Sequence, residues 1–535
     1  MIRAFLFTLL LIPLFTKAQV VLRDTALVWQ HHDFVLTEDH SMMAYTTRDD
    51  EITEVMFSTA KVIENELIKL VVVPEYGGRV ISFVYKPTGH EYLYQAECGS
   101  PYGIGDGNFY YNWLMVYGGI FPTFTEPEHG MAWLLPFDFT VEEETSERVH
   151  IRMVHTDEID FSGAPGQFNN GRTNITCQVD VTVDQNSAAW DFDVTLINNN
   201  STNQNYEYWT CTTLSPGSEI GETGSPLSSK IIAPVNDYRA AWSPGNWIGD
   251  YGSLGDFSSI DELEEWDDMG IAYADEISGN YWGVINQENQ EGIIRISENV
   301  KTPGLKLWTW GRNNVNNDLF DFSNGGADNY IELWAGTSLE FFSDAFLSEN
   351  ETKTWKETYV ATTGMTGVSG INSKVAINLE WDSEAQLLVY ELNSFQMQRI
   401  ELVISLEGNP IEQKVFDFEP KGLVGSVSLA EVVKMDGEYV IDVSVANGQG
   451  DVLIELDKEV FIDILEPLSG VSSVQLVAYS PGSGKLSVIS DKAEGLVQVV
   501  DIQGKTIHRA TFNGQDLMLD IPNSGLYIVS LKSED

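Results

Sequence analysis

Two side chains able to move a proton stand in surroundings that would otherwise be apolar. They are His129 in GGIFPTFTEPEHGMAWLLPFDF (118–139) and Glu332 in YIELWAG (330–336). The first stretch crowds Pro122, Glu126, Pro127, Glu128, His129, Trp133 and Asp138 into one turn-rich segment between apolar runs. Proline and glycine fix such loops, and loops held on a rigid scaffold are where chemistry is carried. In the second stretch a carboxylate interrupts a run that reads as a buried strand, a placement that is costly unless the charge is paired or used. An imidazole and a carboxylate together suit general acid–base work, in which one group removes a proton while the other supplies one. The competing reading of Glu332 is a strand carboxylate paired to a core arginine such as Arg79 or Arg312, and that of His129 is a structural histidine in a turn.

Other residues widen the range of chemistry the chain could carry. Glu126 and Glu128 invite a glycosidase reading, since two carboxylates supply acid and base or nucleophile. Two residues apart on an extended loop, they are equally ordinary surface charge. Arg79 and Arg312 could each clamp a carboxylate or sulfate of an acidic sugar, or stack on Trp308 or Trp310. Trp242, Trp247 and Trp266 suit a sugar groove or, more simply, a core. His31 and His32 lack a third ligand at metal spacing. The oxygen-rich run 313–329 lacks the spacing of a calcium loop. No metal and no cofactor are expected.

The chain has 535 residues, 43 % apolar and 21 % charged, which predicts a folded protein of several domains. Its 30 Lys and Arg face 80 Asp and Glu, a formal net charge of -50. Nucleic acid is excluded as a partner, because a phosphate backbone would be repelled. Residues 1–18, MIRAFLFTLLLIPLFTKA, carry Arg3, an apolar run and a small residue at Ala18, the pattern of a secretory signal peptide. No later run reaches membrane length, so the chain is expected to be secreted or attached at the cell surface without a membrane-spanning segment. Cys98, Cys177 and Cys211 make no disulfide framework and read as buried small residues, with Cys177 and Cys211 the plausible pair by strand context.

The elements that must position these residues read as strands. Residues 19–60 read as a polar, irregular N-terminal arm. Residues 67–73 and 79–85 are β-rich segments joined through Pro74 and the Gly77-Gly78 pair as a hairpin. Alternating strands follow at 176–183 and 189–197, end at YEYWTCTTL (206–214), and resume from 270 after a loop-rich stretch. No long amphipathic helix interrupts them, which predicts an all-β sandwich over 61–363. A small-residue boundary then precedes about seven short strands over 374–466, the size and rhythm of an immunoglobulin-like β-sandwich. Residues 474–535 read as a further compact β unit.

The hairpin PEYGGRVISFVYKPTGHEYLY with Arg79, the segment PTFTEPEHG with His129, KLWTWGRN (306–313) and YIELWAG with Glu332 together resemble the aldose 1-epimerase (galactose mutarotase-like) superfamily, and most closely its uncharacterised subgroup. The resemblance implies a large antiparallel supersandwich whose concave face binds sugar. It places Glu332 as the general base toward an anomeric hydroxyl and His129 as the group that holds the sugar or acts as acid. Arg79, Glu128, Tyr208, Trp209, Trp310 and Arg312 are the accompanying substrate contacts. The superfamily's later acid histidine falls near YEYWTCTTL, where this chain offers Tyr208 and Trp209, and Tyr208 becomes a candidate donor. The resulting expectation is a secreted carbohydrate-active enzyme acting on a sugar or an oligo- or polysaccharide. A polysaccharide lyase on uronic-acid polymers and a non-catalytic glycan-binding protein on the same fold remain the alternatives. SPGSGKLSV (480–488), VVDIQGKTI (499–507) and SGLYIVSL (524–531) resemble the type A sorting domain of the type IX secretion system of Bacteroidetes, which implies that machinery as a partner.

Overall fold

The computed structural model describes residues 19–39, 42–96, 98–99, 118–126, 130, 132, 135–161, 170–313, 329–383, 385–429, 432–433, 437–462 and five strands between 485 and 532. The fold is all-β, as the period-two alternation of apolar residues dictates. Among the described residues no helix is long and apolar enough to cross a membrane.

Two sheets form the main body. The larger has 15 strands, and six of them position the site: β1 (Arg79–Tyr85), β2 (Gly119–Thr125), β3 (Gln204–Ser218), β4 (Gly270–Ala274), β5 (Gly304–Thr309) and β6 (Ile331–Gly336). β4, β5, β6 and β3 are consecutive neighbours, and β2 pairs with both β3 and β1. The second sheet has eight strands and covers one face of the first. Its strand Ala189–Asn198 alternates strictly, sending Trp190, Phe192, Val194 and Leu196 inward. These meet Tyr206, Tyr208 and Leu214 of β3, Leu305 and Leu307 of β5, and Ile331, Leu333 and Ala335 of β6 in one apolar core. Successive side chains on a strand point to opposite faces. The alternate set, Glu207, Trp209, Cys211 and Thr213 of β3 with Glu332 and Trp334 of β6 and Lys306 of β5, is therefore turned away from that core. A second, smaller cluster lies there, built from Trp209, Cys211, Trp334, Tyr273, Phe121 and Phe341.

Two expectations are corrected. Residues 19–60 are not irregular: Val21–Asp39 and Met42–Glu64 form a long antiparallel hairpin, paired from Val21 with Glu64 to Asp39 with Met42. The polar composition of this stretch concealed β-branched residues such as Val21, Thr25, Thr37, Thr47 and Ile52, which favour extended backbone. Cys177 and Cys211 are both buried free thiols, not a disulfide. Cys177 belongs to the inter-sheet core and Cys211 to the cluster on the opposite face of β3.

Residues 370–462 form two four-stranded sheets. The chain divides into two compact units, and most of these strands belong to the same unit as the main body. Tyr85 Oη and Thr363 Oγ1 both donate to the Pro420 carbonyl, at 2.8 and 3.0 Å, and Ala188 N donates to the Phe395 carbonyl at 2.7 Å. Met365 and Phe395 enter the main core. The other unit takes in residues 430–438 and 461–535. In it Lys485–Val488 pairs with Leu517–Asp520, and Gly495–Asp501 lies between Thr506–Phe512 and Tyr527–Lys532. Much of the three motifs read as a sorting domain falls outside the described residues, as do residues 1–18.

Candidate functional site

Glu332 sits on β6 opposite Thr213 of β3 and Trp308 of β5, on the face turned away from the main core. Its carboxylate is held from within its own strand, because residues two apart share a face. Trp334 Nε1 donates to Oε2 at 2.8 Å, and Tyr330 Oη donates to Oε1 at 3.3 Å. On β5, Lys306 lies in register with Trp334 and brings its Nζ to 3.8 Å from Glu332 Oε2. The same ammonium lies 4.0 Å from the centre of the Trp334 ring and 4.9 Å from that of Phe341. Glu332 is 6 % exposed and Lys306 4 %. A buried carboxylate is tolerable under such conditions, with an opposite charge and two donors offsetting its desolvation.

The neighbouring groups are kept neutral. Burial first, and then the Glu332 charge, push the Tyr330 phenol well above its ordinary range, so it remains a donor. Burial and Glu332 likewise raise the Cys211 thiol, against the smaller opposing pull of Lys306 and Arg79, so it offers no thiolate nucleophile. Aromatic rings flank the carboxylate. Tyr94 stacks on Tyr330 with ring centres 4.0 Å apart, and Trp308 meets Trp310 edge-on at 4.7 Å and Tyr330 at 5.7 Å. Trp310 is buried, whereas Trp308 is partly exposed. Tyr94, Trp310 and Tyr330 form a small buried cluster beside the carboxylate, with Trp308 packed against it.

The structure brings together only part of the set expected from the sequence. Glu128 and His129 lie outside the described residues. Arg79 is fully buried, donates from Nε to the Tyr76 carbonyl at 2.9 Å and from a terminal nitrogen to the Gly118 carbonyl at 3.2 Å, and lies over the Phe121 ring at 4.2 Å. It ties the hairpin turn to the start of β2. Arg312 is exposed and engaged with the Asp267 carboxylate and the Glu264 carbonyl, so it is not the clamp expected beside Glu332. Tyr208, considered as a donor to substrate, faces the other way: it is fully buried in the inter-sheet core, edge-on to Trp355 at 4.9 Å. Burial keeps its phenol well above the ordinary range. Trp209 does share the Glu332 face but is fully buried, its ring seated against Gly336 and Gly304. Trp266 is core, Trp247 meets it edge-on at 5.4 Å, and Trp242 is exposed.

Two residues were missed. Lys306 was visible in KLWTWGRN as the residue two before Trp308, and strand alternation alone puts it on the face of the tryptophans. Glu207 gives a weaker signal, one acid among the aromatics of YEYWTCTTL. It is fully buried on the Glu332 face of β3, opposite Thr125 of β2. Trp209 Nε1 donates to its Oε2 at 3.2 Å, while its Oε1 is buried without a hydrogen-bond partner. Burial, reinforced by Asp344 and Glu126 and opposed by the Trp209 bond, pushes this carboxyl up to about 8. Glu126 accepts from Asn170 N at 2.7 Å, and Asp344 from Asn170 Nδ2 at 3.1 Å. Thr213 pairs with Glu332, and Glu207 lies six residues earlier on the same strand, about 20 Å away at strand rise. The two carboxyls thus serve separate ends of one face. A cavity of about 510 Å³ lies elsewhere, lined by Lys230, Asp237, Asp256, Phe257 and Asp261 among others, and shares no residue with the Glu332 cluster.

Residues 40–216 match the model of a family described as a domain of unknown function, DUF5107. Among solved structures, a TPR-domain containing protein from Parabacteroides distasonis is 16 % identical with a TM-score of 0.50, the match covering 64 % of this chain and 55 % of that one. This chain thus spans little more than half of that protein's length. A galactose mutarotase-like protein from Clostridium acetobutylicum is 10 % identical with a TM-score of 0.40, covering 57 % of this chain and 95 % of that one. A galactose mutarotase related enzyme from Lactobacillus acidophilus is 13 % identical with a TM-score of 0.37, covering 58 % of this chain and all, 100 %, of that one. These likenesses concern the fold.

Proposed function

We propose that this chain is a carbohydrate-active enzyme acting on a sugar or an oligo- or polysaccharide at the Glu332 face, with Glu332 as the proton-accepting group. One observation carries the reading: a buried carboxylate, turned away from the core, aimed by Trp334 and Tyr330 and edged by Trp308. The motif resemblance on Arg79, His129 and Glu332 supports it, with His129 as the sugar-holding group or acid. The lyase alternative is less well supported, because Arg79 is spent on backbone carbonyls and Arg312 on Asp267. Unsaturated, ultraviolet-absorbing products from uronic-acid polymers would restore it. A binding-only reading draws on the fact that both Glu332 oxygens already accept hydrogen bonds. Export to the cell exterior, with the type IX machinery as partner, rests on the patterns at 1–18 and 480–531.

The deciding experiment compares the parent with Glu332→Gln on a panel of aldoses by polarimetry and of algal and plant polysaccharides by product analysis. General base catalysis contributes about 10²- to 10⁴-fold, so turnover should fall by that factor while binding persists. Turnover that survives the substitution would remove Glu332 from the chemistry. Binding without any turnover in the parent would establish the binding-only protein instead.

A further inference from the structure

The cavity of about 510 Å³ lies where the edges of the two main sheets meet. Lys230, Ile231 and Ile232 come from Ser229–Ile232, the end strand of the eight-stranded sheet, while Asp237 and Asp256 come from Asp237–Trp242 and Leu254–Asp256, the last two strands of the larger one. Six of its twelve lining residues are apolar, among them Ile232, Val235, Phe257 and Val368, and the rest are Lys230, Asn236, Asp237, Asp256, Ser258 and Asp261. Its volume falls within the range of about 300–1,000 Å³ usual for small-molecule sites. Asp237 stands directly opposite Asp256 in the strand register, so both carboxylates project from one face of the ribbon. Ser258 donates to Asp256 Oδ1 from its N at 3.0 Å and its Oγ at 2.8 Å, which holds that carboxyl below its ordinary range and keeps it charged. Lys230 Nζ is pinned between Asp261 at 3.1 Å and Glu262 at 3.6 Å.

We propose that this cavity is a second ligand site, separate from the Glu332 face, that takes a neutral polyhydroxylated ring such as a pyranoside. The lining sets three carboxylates against one ammonium, so it is rich in acceptors and poor in donors. An anionic ligand would meet that excess of negative charge and be repelled. Among the described residues no three His, Cys, Asp or Glu side chains are arranged to hold a metal ion. An organic cation seated against the Ile231–Ile232 wall would lie beside the Lys230 ammonium on the same strand. Ring hydroxyls escape all three objections. They donate charge-assisted hydrogen bonds to Asp237 and Asp256 and accept from the Asn236 amide, while the C–H face of the ring covers Ile232, Val235 and Phe257. The cavity shares no residue with the Glu332 cluster, so its occupancy does not depend on what Glu332 does.

Ser258 is exposed at the cavity rim, so Ser258→Cys carrying a trifluoromethyl tag reports on this site alone, with the identically treated parent marking the signals of other thiols. The whole chain is titrated with methyl β-D-glucopyranoside, methyl β-D-galactopyranoside, D-glucuronate and, at slightly acid pH, D-glucosamine, and fluorine NMR reads occupancy. A methyl glycoside has no free anomeric hydroxyl, so binding is followed without turnover. At least one glycoside should shift the tag saturably, and D-glucuronate should bind at least about tenfold more weakly than that glycoside. Asp237 is exposed, so its variants should melt as the tagged chain does. Asp237→Asn should weaken the glycoside by about five- to tenfold through the lost charge-assisted hydrogen bond. Asp237→Arg sets a long base opposite Asp256 and should abolish the shift. Glu332→Gln should leave it unchanged, within about twofold, because additive effects are expected of sites with no shared partner. A tag that no glycoside shifts, or a shift that withstands both Asp237 variants, overturns the proposal. Tighter binding of D-glucosamine than of either glycoside overturns it too, in favour of an organic-cation site. A shift lost in Glu332→Gln while Asp237→Arg keeps it overturns the cavity site and leaves the Glu332 face as the sugar's seat.

Discussion

Replacing Glu207 by glutamine isolates the cost of one buried carboxyl as a function of pH. In the native chain burial, with Asp344 and Glu126 nearby, raises this group from 4.5 to about 8. The native state therefore holds its proton more tightly than the unfolded chain, and the sign follows from linkage. Below about 4.5 both states are protonated and Glu207 costs nothing. As pH rises toward about 8 the unfolded chain loses the proton first, so stability falls across that window and levels off above it. At about 1.4 kcal/mol per pH unit, the full loss is on the order of 5 kcal/mol, an upper figure because local relaxation reduces it. Glutamine mimics the protonated acid and keeps an acceptor for Trp209 Nε1. Urea denaturation of parent and Glu207→Gln at pH 5 and pH 9 measures the difference, and pairing the two proteins at each pH cancels the titration of the many other acids. The variant should match the parent within about 1 kcal/mol at pH 5 and exceed it by several kcal/mol at pH 9. The same offset at both pH values would refute the reasoning, since a purely steric effect of the amide has no reason to depend on pH.

Further outcomes follow from burial elsewhere. Arg295 Nε donates to Glu357 Oε2 at 2.8 Å with both side chains fully buried, and Thr210, Trp355 and Tyr359 also donate to that carboxylate. Burial alone would raise Glu357, but Arg295 and these donors hold it below its ordinary value. Glu357→Leu alone should cost about 3–5 kcal/mol in urea denaturation, whereas Arg295→Met combined with Glu357→Leu should recover most of that loss. A Cβ added at Gly336 would fall 2.3 Å from the Trp209 ring. Gly336→Ala should therefore destabilise by about 1–3 kcal/mol and perturb Trp334 and Glu332 on the same strand, which near-ultraviolet circular dichroism would register.

Strand content was legible because period-two alternation is a local property. Trp190 to Leu196 and Val179 to Val183 declare their inward face without any partner. Which face belongs to the core is a global property, and it decided three site residues, one in the opposite sense to the other two. Glu332 on β6 and Trp209 on β3 point away from the inter-sheet core, while Tyr208, one residue along, points into it. Nothing in YEYWTCTTL distinguishes the two sets until Leu214 is seen to pack beside Ile331 and Leu333 on the core face. Glu207 stayed hidden for a related reason: its raised proton affinity comes first from burial, and then from Asp344, 137 positions later, and Glu126, 81 earlier, none of which is local in sequence. Lys306 was overlooked beside the tryptophans because a lone lysine in a strand usually reaches solvent, and only register with Trp334 shows that this one does not. Arg79 read as a ligand clamp because its backbone partners, Tyr76 and Gly118, are set by the turn rather than by sequence type.

The shared acceptor at Pro420 has a practical corollary for anyone dissecting this molecule. Trimming the gene after Thr363 would strand the hydroxyls of Tyr85 and Thr363 and the amide of Ala188, and would strip Phe395 and Met365 from the apolar interior. The smallest fragment worth expressing to test the proposed role of Glu332 is thus one that keeps the two four-stranded sheets of residues 370–462, even though no catalytic group has been assigned to them.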